Sequence, residues 1–152
     1  MVAIFEPPSW LAIPADRYRR ALNRQAVSIS KGLRKHGGAV SVKAVMDAVH
    51  AAYHRCDGLD PYDGMPLRGE LLEDWLRGGR KLLGAERDGQ WDRLPTVGQI
   101  HAAPGLQFEI VSWQTWMAKG DRTAEQYIAH CRAVVTWADA SGRADAGHRV
   151  DR

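Results

Sequence analysis

Cysteine is scarce, no apolar run is long, and one stretch near the N-terminal end holds no acidic residue at all. Only Cys56 and Cys131 occur in 152 residues. Their wide separation fits neither a disulfide framework nor a thiol-redox pair, so both are expected as free, buried thiols. No apolar run approaches the roughly 18 residues needed to cross a bilayer, and no charged segment leads into a long apolar one. Neither membrane insertion nor secretion is expected, and cytoplasm is the expected location. Between Arg17 and Met46 there is no Asp or Glu, while Arg17, Arg19, Arg20, Arg24, Lys31, Arg34, Lys35 and Lys43 all fall there. The whole chain carries only +3 with a pI near 9.1. The positive excess is therefore local, and a polyanion is the partner it fits.

What is present is the composition of a folded protein: 45% hydrophobic and 26% charged residues, with the apolar positions in short periodic runs. A chain of this length buries roughly two thirds of its unfolded surface and needs no covalent staple. After Pro14, Tyr18, Leu22, Ala26, Ile29 and Leu33 recur at helical spacing, and Gly37-Gly38 ends the run. A second helix is expected from Ser41, with Val42, Val45, Met46, Val49, Tyr53 and Cys56 on one stripe. The segment from Asp57 to Pro66 combines Asp-Gly, Asp-Pro and Met-Pro pairs and is expected as a loop. Its aspartates lack the alternating spacing and closing glutamate of a calcium loop.

A third helix is expected from Leu67 through Leu76, stopped or bent by Gly78-Gly79. Trp91 to Val97 leads into a short strand, and Phe108 to Trp113, rich in β-branched and aromatic residues, forms a second. Thr123-Ala-Glu-Gln126 has the form of a capping box and opens a final helix with Tyr127, Cys131, Val134 and Ala138 on its stripe. The expected fold class is α+β, mainly helical. The expected division is an N-terminal helical region over 1–57, a ββα region over 58–138 and a flexible tail over 139–152.

The order strand, loop, strand, helix, carried by Leu94-Pro-Thr-Val-Gly-Gln-Ile100, Phe108-Glu-Ile-Val-Ser-Trp113 and Thr115-Trp-Met-Ala-Lys-Gly-Asp121, resembles the ββα-metal core of HNH endonucleases. The likeness runs from about Tyr62 to Trp137, and Tyr62-Asp-Gly-Met-Pro-Leu67 resembles the turn that often precedes that core. The resemblance implies an Asp-His pair at the end of the first strand and a later Asn or His with Lys three residues on. Here Gly98 and Gln99 stand at the first place and Trp116 at the second, with Lys119 following. The paired cysteines of many relatives are missing, and with them the structural zinc.

HNH chemistry needs an imidazole to deprotonate water and one divalent ion to stabilise the leaving oxygen. Gly98 and Gln99 supply neither base nor anionic ligand, and an indole has no lone pair for a metal. The expectation is a catalytically inactive pseudo-nuclease with no catalytic residue, metal or cofactor, binding DNA through Arg17, Arg20, Arg24, Arg34, Lys35 and Lys119. Two alternatives stand beside it. A slipped alignment makes His101 the general base with His130 as a metal ligand, giving an active endonuclease that needs a divalent ion. Otherwise Trp116 anchors a protein partner or a homodimer. His50 and His54, one turn apart near Cys56, lack further zinc ligands and are expected on a solvated helix edge.

Overall fold

The computed structural model describes residues 5–78, 89–100 and 105–143. The fold is mixed α+β and mainly helical. A 3-10 turn, Ser9–Leu11, leads into α1 (Ala15–Lys35) and α2 (Val42–Arg55). Then come α3 (Leu71–Gly78), the strands β1 (Pro95–Gln99) and β2 (Phe108–Ser112), α4 (Trp113–Lys119) and α5 (Ala124–Ala140).

The ends of α1 and α2 are set by local chemistry. Gly37, at φ 83°, lets the chain turn back so that Gly38 N–H donates to Leu33 O and Gly37 N–H to Arg34 O. These bonds close the C-terminal end of α1, with His36 N–H also donating to Leu33 O. Ser41 Oγ accepts from Ala44 N–H at 3.1 Å and opens α2. Tyr18, Leu22 and Ala26 of α1 then pack with Val45, Val49 and Tyr53 of α2, all with no exposed surface.

β1 and β2 form an antiparallel pair with Pro95 opposite Ser112, Val97 opposite Ile110 and Gly98 opposite Glu109. Two strands alone are marginal in water. The hairpin is held because Phe108 and Ile110 join the same core as α1 and α2, together with Leu11, Leu67, Leu72, Trp91 and Leu94. The expected boundary at 57/58 therefore runs through one shared core. The chain forms two compact units, Met1–Ala118 and Lys119–Arg152.

The 57–66 loop is a loop, built from Asx turns: Asp57, Asp60 and Asp63 each accept from the N–H two residues on, at Leu59, Tyr62 and Met65. Those aspartates shape the turn and tie it to the hairpin. Asp60, 1% exposed, also accepts from Ser112 N–H at 2.7 Å. Arg93 spans the other side, donating to Asp63 Oδ2 at 2.8 Å and to the carbonyls of Met65 and Pro66. That guanidinium holds the Asp63 carboxyl below the usual carboxylate range, a second bond from Met65 N–H adding to it.

Several expectations are corrected. The third helix begins at Leu71, not Leu67. Gly69 lies so close to Leu11 that an added Cβ would sit 2.2 Å from its carbonyl oxygen, and Arg68 N–H is committed to Arg93 O. Trp113 opens a helix instead of ending a strand, because Ser112 Oγ caps Thr115 N–H while Trp113 and Gln114 N–H donate to Leu94 and Asp92 carbonyls. The last helix reaches Ala140, so the expected tail starts inside it. Cys131 is exposed and Cys56 half-buried, both free. The expected stop at Gly79 lies outside the described residues, as does Pro104.

Candidate nucleic-acid interface

With its apolar stripe committed to the core, α1 turns one continuous face to solvent. Arg17, Arg20, Arg24, Lys31 and Lys35 follow one another on it at steps of three, four, seven and four, with Arg34 at its edge, and all are exposed. From Arg17 to Lys35 the row extends about 27 Å at 1.5 Å per residue. Arg17 approaches Asp16 at 3.8 Å, across an exposed pair that contributes little. Arg24 is more constrained. Its guanidinium carbon lies 4.7 Å from the Trp75 ring centroid, and its Nη1 donates to Leu76 O at 3.2 Å. It holds α3 to α1 while keeping its charge on the basic face.

Beside this face a groove of about 520 Å³ opens between α1, α3, β1 and α4. Gln25 and Ser28 of α1 line one wall, and Trp75, Trp113, Trp116 and Met117 line much of the rest. The Trp113 and Trp116 rings stack with centroids 5.0 Å apart and planes 16° from parallel. Trp116 is 41% exposed and Met117 59%. A larger recess of about 830 Å³ lies between α2, the 57–66 loop and β2, with Arg55 Nη2 donating to Phe108 O at 3.0 Å across it.

Trp116 and Gly98 meet different neighbours. Trp116 shares its groove with Pro95, Thr96 and Val97 of β1. Gly98 is buried and faces Glu109, where an added Cβ would meet Glu109 Cγ at 3.2 Å and Val111 Cγ2 at 3.7 Å. The Glu109 carboxylate accepts from Tyr62 O–H at 3.0 Å and 3.2 Å. The space beside Gly98 is thus already taken by a carboxylate tied to the 57–66 turn. Comparison with protein-family models, with curated proteins and with solved structures returned no match.

A divalent ion of the kind HNH chemistry requires does not fit this donor set. Glycine offers no ligand, an indole offers no lone pair, and an amide at Gln99 is a weak neutral donor. His101 lies outside the described residues. His130 is exposed on α5. Lys119 is 7% exposed and so does not belong with the exposed cations among which it was expected.

His54 is exposed, as expected of a solvated edge, while His50 is half-buried. Their rings meet edge-on at 4.4 Å, Tyr18 O–H lies 2.8 Å from His50 Nδ1 and His54 Nε2 lies 3.0 Å from Glu6 O. Burial, then the neighbouring His54, pushes the His50 pKa down, against a smaller opposing pull from Asp47. Burial also pushes the Tyr18 hydroxyl upward, so it keeps its proton.

Sequence reasoning left Lys31, Ser28, Trp75 and Met117 out of the candidate surface. A signal for Lys31 was available: it lies seven residues after Arg24 and four before Lys35, which is one helical face. The groove residues come from four elements, and no spacing along the chain announces them.

Proposed function

We propose that this chain is a catalytically inactive HNH-like protein that binds DNA through the exposed face of α1. The observation that supports it is the exposed basic row Arg17, Arg20, Arg24, Lys31 and Lys35, anchored from behind by the core. Phosphate neutralisation is the main source of sequence-independent DNA affinity. Nothing on this face points to reading of base edges, so the binding is not sequence-specific. The order hairpin then helix, β1, β2 and the helices that follow, is compatible with the ββα arrangement, and Gly98, Gln99 and Trp116 supply neither a base nor an anionic metal ligand there.

The test is plasmid incubation with magnesium, manganese, nickel or zinc against EDTA, beside gel shifts at two salt concentrations. If four cations each neutralise one duplex phosphate, the logarithmic salt slope is about −3.6. Affinity then falls about 150-fold between 50 and 200 mM salt. Salt-sensitive shifting without nicking supports the reading. Metal-dependent nicking that His101→Ala abolishes replaces it with an active endonuclease, and absence of any shift removes DNA as the partner.

A further inference from the structure

We propose that the tryptophan groove beside α1 is a stacking site for an unpaired nucleobase, so that the strand class preferred by this surface is single-stranded. The proposal rests on the DNA-binding reading and adds a substrate class to it. Two independent features meet at one rim. Ser28 lines the groove and sits on α1 between Arg24 and Lys31, so the wall of the groove is also the middle of the basic row. Within the groove, Trp116 stacks on Trp113 with nearly parallel planes and keeps 41% of its surface exposed. The inner indole fixes the orientation of the outer one, and a rigid aromatic face loses little conformational freedom on binding.

An unpaired strand supplies what both features require. Its phosphates lie against Arg20, Lys31 and Lys35 while a base leaves the backbone to stack on Trp116, the combination by which single strands are held without sequence readout. Ser28, exposed at the rim, offers a hydroxyl to the strand's phosphate backbone. Arg24, held over Trp75, brings a fixed cation to the same opening. An apolar peptide would use the groove and gain nothing from the cations. Duplex DNA would use the cations and have no base free to enter.

The experiment compares an oligothymidylate with a duplex of the same length at one salt concentration, reading tryptophan fluorescence and anisotropy. The expected result is tighter binding of the single strand with quenching of emission. Trp116→Ala weakens the single strand about tenfold and leaves the duplex unchanged, and Trp116→Phe recovers much of the loss. Trp116 is partly exposed, so these variants keep the fold, and circular dichroism checks it. Equal affinities unaffected by Trp116→Ala overturn the stacking site while DNA binding stands. Loss of binding to both nucleic acids in the wild-type chain overturns both readings. Self-association that Trp116→Ala abolishes, without oligonucleotide binding, assigns the groove to a second copy of the chain and also overturns the proposal.

Discussion

Asp60→Ala tests how the loop and the hairpin are joined. The carboxylate is 1% exposed. It accepts from Ser112 N–H at 2.7 Å and from Tyr62 N–H at 2.8 Å. Ser112 is fully buried, so its N–H has no water to turn to when the acceptor is removed. An orphaned buried donor costs about 1–3 kcal/mol, and each lost bond to a charged acceptor about 1.5–3 kcal/mol before the relief of no longer burying the carboxylate is counted. The net expectation is about 3 kcal/mol of destabilisation, which for a domain of this size lowers Tm by about 10 °C. Asp60→Asn keeps one acceptor oxygen and is expected to lose about half as much. Urea unfolding gives the free energy, and hydrogen exchange at the Ser112 amide gives the location. A change below about 0.5 kcal/mol in Asp60→Ala, with the Ser112 amide still protected, would refute the reasoning.

Gly69→Ala is expected to cost about 1–3 kcal/mol by overpacking, because the new Cβ would sit 2.2 Å from Leu11 O; denaturant melts measure it. The folded-state pKa of His50 is lowered, so its protonation is resisted in the native protein more than in the unfolded chain. Its stability is complete above the unfolded value near 6.5 and falls as pH drops below it. Phe5, Tyr18, Asp47 and His54 surround it. Melts at pH 7.5 and pH 5 are expected to differ less in His50→Asn than in wild type. Thr123→Ala removes one half of the reciprocal cap with Gln126 at the start of α5. It is expected to lower helix stability by about 1 kcal/mol, read as faster amide exchange in residues 124–127.

The elements that could be read from the sequence are those whose determinants are local. The stripe of α1 and the Gly37 turn, the Ser41 cap of α2 and the Thr123/Gln126 box of α5 each lie within a few residues of the element they define. The late start of α3 and the presence of α4 were not legible. Gly69 is constrained by Leu11, and the first turn of α4 borrows Leu94 and Asp92 carbonyls from a distant loop. Trp113 and Thr115 have strand-like propensities, which tertiary bonds override. The basic row was legible because charge and period are both written in α1. The aromatic groove was not, since Trp75, Thr96 and Trp116 meet only in three dimensions.

The central claim is tested most directly by measuring duplex affinity of the wild-type chain and of Arg20→Glu/Lys31→Glu/Lys35→Glu across 50 to 200 mM salt, with plasmid integrity followed in the same samples under magnesium. The prediction is a wild-type slope near −3.6, reduced to about −1 in the triple variant, with the plasmid intact throughout. Salt-independent binding, identical slopes in the two proteins, or nicking of the plasmid would contradict it.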